Sequence, residues 1–155
     1  PRMVCQLAPV STFRQYSGYQ ASGGTYLYGT VFWLLHHLVA TIESVGNEIA
    51  ADVRLVVTVI SDGNDTASRK YQDRAKRAAA ALQGLVGDCQ LVSIGLGING
   101  VELARRIGVP DDHRAISLGH TERDLEIASH TMTEASTHFR PCANSLLRGT
   151  SRRTG

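Results

Sequence analysis

The chain is organised around one short apolar segment and the polar turn that follows it. Residues 55–60 read LVVTVI, and this run ends abruptly at Ser61-Asp62-Gly63. A β-branched run of this length between turn residues is typical of a strand buried on both faces of a parallel sheet. Open α/β sheets bind their ligands beyond the carboxyl ends of such strands. Asp62 is therefore the first candidate functional residue.

Helical and strand patterns alternate on both sides of this segment. A first helix is predicted to begin at Thr25 as its N-cap and to run to residue 45, with an apolar stripe of Leu27, Val31, Leu34, Leu38 and Ile42. A strand is predicted at residues 3–7, before this helix. The segments that follow predict a helix at 69–82, a strand at 89–94, a glycine loop at 95–100, a helix at 101–107 and a strand at 115–118.

A last amphipathic helix is predicted to end near residue 137. Thr121-Glu122-Arg123-Asp124 resembles a capping box at its start, and its inner stripe is Leu125, Ala128, Met132 and Ala135. Strands that alternate with helices through short loops predict an α/β fold, a three-layer sandwich around a mostly parallel, doubly wound sheet of the Rossmann-like kind. We assign residues 1–138 to this domain.

Composition places the chain among ordinary globular proteins. It has 155 residues, 43% of them apolar, and a formal net charge of +2. The four arginines after residue 139 are scattered, so residues 139–155 are predicted to form a basic, flexible tail rather than a nucleic-acid-binding arm. The longest apolar run, residues 31–35, is too short for a membrane span. Three cysteines without a CxxC pattern predict reduced thiols and a cytoplasmic location.

Three strand-to-helix loops are expected to meet at the carboxyl edge of this sheet. They carry Thr25, Asp62 and the glycines of residues 95–100. A hydroxyl beside a carboxylate offers two oxygen ligands of the kind that Mg²⁺ or Mn²⁺ prefers. From spacing alone a structural role is favoured, in which Thr25 caps a helix and Asp62 orders its own turn through a bond to residue 65 or 66.

Three motifs in order resemble the von Willebrand factor type A domain. They are Ser22-Gly23-Gly24-Thr25 before an apolar helix, VVTVISDGND at 56–65 and LVSIGLGI at 91–98. Within that family the chain is most similar to intracellular bacterial members of the tellurium-resistance type. The resemblance implies a protein-interaction module, not an enzyme, with a Mg²⁺-dependent adhesion site that accepts a carboxylate from a partner protein.

The same resemblance implies roles for individual residues. Thr25 and Asp62 would be metal ligands, and the supporting residues would be Ser22, Gly23, Gly24, Gly63 and Asp65. The family's first motif, Asp-x-Ser-x-Ser, has no counterpart here, which implies a domain truncated at its N-terminus. We therefore expect weak or no Mg²⁺ binding by this chain, and an exposed sheet edge that favours self-association.

Two other functions remain open from the residues. Gly95-x-Gly97-x-x-Gly100 matches a dinucleotide fingerprint after a strand, but no acid ends the next strand to hold a ribose. A metal-independent module would instead bind through the tyrosines of its loop edge. Tyr26 and Tyr28, with His120 nearby, are the contact candidates, although the tyrosines are equally suited to packing over the sheet.

Overall fold

The computed structural model describes residues 24–50, 52–86, 88–110 and 115–137. The strand predicted at residues 3–7, the supporting residues Ser22 and Gly23, and the tail at 139–155 lie outside the described residues. The elements in chain order are α1 (Leu27–Val45), α2 (Asn47–Ala50), β1 (Arg54–Ser61), a 3-10 turn (Arg69–Tyr71), α3 (Gln72–Leu85), β2 (Asp88–Leu96), α4 (Gly100–Ile107), β3 (Ala115–Leu118) and α5 (Glu122–Thr137).

The three described strands form one parallel sheet in the order β1-β2-β3. β1 aligns with β2 from the Arg54–Asp88 pair to the Ser61–Gly95 pair, and β3 aligns with the second half of β2. Each pair of strands is connected through a helix, which confirms the predicted α/β class and its parallel sheet. All three strands therefore end at the same edge.

Of the three described strands, β2 lies in the middle and the strand formed by residues 55–60 lies at one side. Of β1 only Val57 is fully buried, whereas residues 91–95 of β2 are all buried. Both faces of residues 55–60 contact apolar clusters, Leu55, Val57 and Val59 on one face and Val56 on the other, but most of these side chains are only half-buried. The apolar run reflects packing under helices more than a central position in the sheet.

Helices cover both faces of the sheet, which makes three layers. On one face Val57 and Leu91 join the larger apolar cluster with α1, α3 and α4. On the other face Val92 and Ile94 join a smaller cluster with α5. No helix in the described ranges has both the length and the apolar character to cross a bilayer.

The capping box predicted for α5 is present. Asp124 N donates to Thr121 Oγ1 (3.2 Å), and Thr121 N donates to Asp124 Oδ2 (3.0 Å). Hydrogen bonds from the Thr121 side chain and main chain hold the pKa of the Asp124 carboxyl below its usual range. The predicted inner stripe needs one correction, because Leu125 in the first turn is 56% exposed while Thr131 is buried.

Candidate functional site

The loops before α1 and after β1 are hydrogen-bonded to each other at the carboxyl edge. Thr25 N donates to Thr66 Oγ1 (2.9 Å), and Thr66 N donates to the Thr25 carbonyl (3.1 Å). A Cβ on Gly24 would lie 2.7 Å from Thr66 Oγ1, so a larger residue there would displace the Thr66 side chain. Residues 24–26 and 62–68 therefore form one continuous surface.

Asp65 and Ser68 together form a cap on the first turn of α1, which we call the Asp65 cap. Asp65 Oδ2 accepts hydrogen bonds from Tyr28 N (2.9 Å) and from the Ser68 hydroxyl. Asp65 Oδ1 accepts from Ala67 N (3.0 Å) and Ser68 N (2.6 Å). Ser68 Oγ accepts from Gly29 N (2.9 Å). Two N–H groups that the helix itself leaves unpaired are thus satisfied by a loop distant in sequence.

This arrangement overturns the prediction that Thr25 is the N-cap of α1. The N-cap residue is Tyr26, whose side chain makes no capping bond. A local cap is unnecessary because the Asp65 cap already accepts from the first turn. The sequence signal that was missed is Asp65-x-x-Ser68, a spacing typical of side chains that bond to nearby main chain.

The Asp65 carboxylate is held in its charged form. Partial burial raises its pKa, but hydrogen bonds from the Ser68 hydroxyl and from three main-chain N–H groups more than offset this and lower the pKa below its usual range. A negative charge at the N-terminus of α1 is also favoured by the helix dipole. The carboxylate therefore has a structural role, and each of its oxygens already accepts two hydrogen bonds.

Asp62 orders its own turn and remains exposed. Its Oδ1 accepts from Asn64 N (3.0 Å), so the foreseen local bond exists, but to residue 64 rather than 65 or 66. Gly63 follows with φ 73°, and a Cβ there would collide with the side chain of Ile98. The loop after β1 therefore packs directly on the loop after β2.

The glycine loop at residues 95–100 leads into α4, and the first three N–H groups of that helix are already bonded. Asn99 Oδ1 accepts from Val101 N (2.9 Å) and Glu102 N (3.1 Å), and Gly100 N donates to Ser117 Oγ (2.8 Å). A phosphate at this helix N-terminus would need these same N–H groups. The geometry of the loop therefore favours a structural role for its glycines.

The described donor set does not fit a fully coordinated Mg²⁺ site. No group of three or more His, Cys, Asp or Glu in the described ranges is placed to hold a metal ion. Asp65 accepts four hydrogen bonds, which leaves Asp62 and the Thr25 hydroxyl as the described candidates. Because affinity for a hard dication rises with the number of anionic oxygens, one carboxylate gives weak binding.

Calorimetric titration with Mg²⁺ or Mn²⁺ tests this prediction. We expect dissociation constants on the order of millimolar or weaker, and no difference between the wild type and Asp62→Ala. Micromolar binding that disappears in Asp62→Ala would show that Thr25 and Asp62 form a better site than their coordination chemistry indicates.

The contact candidates separate into two groups. Tyr26 is 55% exposed, whereas Tyr28 is 4% exposed and belongs to the main apolar cluster. The expectation that Tyr28 contacts a partner is therefore wrong, because helix α1 turns its side chain into the core. His120 is exposed at the end of β3, with its ring against Gly97.

A shallow depression opens beside the Asp65 cap. Its volume is about 490 Å³, and it is lined by Asp65, Thr66, Ala67, Arg69 and Lys70. Arg69 and Lys70 were not among the predicted site residues, because the charged run at 69–77 falls within a segment that predicts a helix. The sequence signal was the imbalance in that run, which contains five basic residues and one acid.

The fold and this edge define an α/β protein with a parallel sheet whose loops form a continuous surface. No family model, no curated protein and no solved structure matches the chain.

Proposed function

We propose that the chain is a non-catalytic protein-interaction module that binds its partner at the carboxyl edge of the sheet. The observation that carries this proposal is the hydrogen-bonded union of residues 24–26 with residues 62–68. It presents the exposed side chains of Tyr26, Asp62 and Thr66 on one supported surface. Tyrosine is enriched among the residues that dominate binding energy, because it buries a large area at low entropic cost.

The polar side chains at the carboxyl edge favour a binding function over a catalytic one. The polar side chains of the described edge loops bond mainly to main-chain N–H groups and to one another, as Asp62, Asp65 and Ser68 do. A nucleophilic enzyme would instead need an accessible hydroxyl or thiol in hydrogen-bond reach of a base. The Ser68 hydroxyl does donate to the Asp65 carboxylate, but Ser68 is fully buried and its oxygen accepts from Gly29 N. No such pair involving a histidine is formed by the described edge loops.

The resemblance to the von Willebrand factor type A domain supports the same location for the binding surface. Its second and third motifs end at the carboxyl ends of β1 and β2, two adjacent parallel strands. Within this proposal Thr25 and Asp62 contribute weak Mg²⁺ binding at most, since Asp65 serves the Asp65 cap. We therefore favour metal-independent docking, with Tyr26 as the main contact.

A cytoplasmic location belongs to the same proposal. Cys89 is a free thiol, and burial together with the neighbouring Asp88 carboxylate raises its pKa to about 11. Such a thiol stays protonated at neutral pH and reacts slowly. This is consistent with a structural cysteine in a reducing compartment.

Photocrosslinking from single positions tests where the partner binds. A benzoyl-phenylalanine placed at Tyr26 is expected to give discrete adducts with another protein in cells that express the chain. The matched control is Ile49, which is 59% exposed and lies in α2, beyond the other end of α1. Adducts from Ile49 and none from Tyr26 would place the binding surface elsewhere and contradict the proposal.

A further inference from the structure

The depression beside the Asp65 cap carries positive charge. Its one acid is Asp65, and that carboxylate accepts hydrogen bonds from Tyr28 N, Ala67 N, Ser68 N and the Ser68 hydroxyl. These four donors balance much of its negative charge. Among the lining residues, the cations of Arg69 and Lys70 outnumber this one carboxylate.

These cations are available to an incoming ligand. Arg69 and Lys70 are exposed, and within the described ranges neither is paired with a carboxylate; the ion pairs there are Glu102–Arg105, Glu102–Arg106 and His130–Glu134. Binding an acidic group would therefore not require an existing ion pair to break. An acidic ligand would gain charge-assisted hydrogen bonds here that no described side chain now makes.

An aromatic ring holds part of this basic surface in place. Lys70 Nζ lies 5.5 Å from the centroid of the Tyr71 ring, and Arg74 Cζ lies 5.6 Å from the same centroid. The Tyr71 ring in turn stacks on Phe32 of α1, with 5.8 Å between centroids. Cation–π contacts of this kind restrict the two side chains, so less conformational entropy is lost when they bind an anion.

The acidic ligand must come from outside the terminal segments of this chain. Residues 1–23 contain no Asp or Glu, and neither do residues 138–155. Those segments carry arginines and are repelled by a basic surface. A nucleic acid is a poorer match, because its affinity grows with the number of phosphates that are neutralised, and Arg69, Lys70 and Arg74 form only a small cluster.

We propose that the depression binds an acidic segment of the partner protein through Arg69 and Lys70, with Arg74 beside them. This inference rests on the proposed function and names the chemistry of its partner. Tyr71 is a positioning residue, because it acts by holding Lys70 and Arg74.

Fluorescence anisotropy with a defined peptide tests the proposal. The probe is a labelled peptide of about twelve residues with four glutamates, and its twin carries glutamine in their place. We expect the glutamine peptide to bind at least about tenfold more weakly. The Arg69→Glu/Lys70→Glu variant is expected to weaken binding of the glutamate peptide by at least about tenfold, and Arg69→Gln/Lys70→Gln by a smaller factor in the same direction.

The matched control is Arg54→Glu/Arg123→Glu, which changes the net charge by the same amount at two exposed positions that do not line the depression. It is expected to alter affinity by less than about twofold. An equal loss in this control would show diffuse attraction and overturn the site. Tighter binding of a single-stranded oligonucleotide than of the glutamate peptide, lost in the same Arg69/Lys70 variants, would replace the acidic protein segment by nucleic acid.

The outcomes also distinguish this inference from the proposed function. If the glutamate peptide does not bind while the benzoyl-phenylalanine at Tyr26 still gives adducts, the acidic partner is wrong and the interaction module stands. If the adducts are lost and the peptide still binds through Arg69 and Lys70, the depression is an anion-binding site but the docking surface at Tyr26 is wrong.

Discussion

Replacing Asp65 by alanine should lower the free energy of unfolding by about 3 kcal/mol, because a charged acceptor is removed from several donors at once. The N–H groups of Tyr28, Ala67 and Ser68 lose their bonds together with the Ser68 hydroxyl. Three of these donors belong to the loop and one to α1, so the variant weakens the connection between the loop and the helix. Urea unfolding followed by circular dichroism measures the effect.

The pH dependence of the same cap has a defined sign. The pKa of Asp65 is lower in the folded protein than its ordinary value of 3.8. Its stabilising contribution is therefore fully present above that ordinary value and is lost as the pH falls through the folded pKa. As the pH falls from 5 through the folded pKa of Asp65, the free energy of unfolding is expected to decrease more in the wild type than in Asp65→Asn. The variant has no carboxylate at this position to protonate.

Asp62→Ala is the matched control for this prediction. Asp62 is exposed and its carboxylate accepts one local hydrogen bond, from Asn64 N. Its removal is expected to cost less than about 1 kcal/mol. If Asp62→Ala and Asp65→Ala were equally destabilised, the Asp65 cap would not be the main link between the loop after β1 and α1.

Elements governed by local chemistry were predictable from the sequence. The strand at Ala115–Leu118 matches its predicted bounds, and the helix at Gly100–Ile107 begins one residue before the prediction. The capping box of α5 forms because Thr121 and Asp124 lie three residues apart, so their bonds do not depend on distant packing. The alternation of these elements was sufficient to predict the parallel α/β fold.

Features that depend on tertiary neighbours were not predictable in the same way. The composition of β1 could not show how far its neighbours cover it, so the half-buried state of most of its side chains was not predicted. The Asp65 cap joins groups 37 residues apart in sequence. No local sequence pattern could identify Tyr28 N as a hydrogen-bond donor to Asp65. Tyr26 and Tyr28 are two residues apart, and only the direction of α1 separates the exposed ring from the buried one.

The position of Asp62 could be predicted from the sequence, whereas the contacts made by the residues around it could not. The expectation that Asp62 follows a parallel strand at the carboxyl edge agrees with the end of β1 at Ser61. The role of Asp65 differs, because a carboxylate near a proposed metal site can equally satisfy main-chain donors. Arg69 and Lys70 were not predicted, because charged residues on a helix usually face solvent without binding a ligand. Only the structure shows the depression that they line.

Gly100→Ala is expected to destabilise the fold by about 3 kcal/mol or more, since overpacking against rigid main chain cannot be relieved by a side-chain rotation. Gly100 is buried at the start of α4, and an added Cβ would overlap the main chain of Ile116 in β3. Moving the helix away would also weaken the bond from Gly100 N to Ser117 Oγ (2.8 Å). Differential scanning calorimetry and urea unfolding both measure this loss.

Gly84→Ala is the control that separates steric overlap from the general effect of removing a glycine. Gly84 lies exposed in α3, and an added Cβ would meet no atom within 4 Å. Alanine there should stabilise the protein by about 0.5–1 kcal/mol, because it restricts the unfolded chain and favours the helix. Opposite signs for the two variants are expected because α4 packs directly on β3, whereas the outer face of α3 is free. Equal and small effects would mean that the end of the glycine loop has room for a side chain, and the structural role assigned to Gly100 would then be wrong.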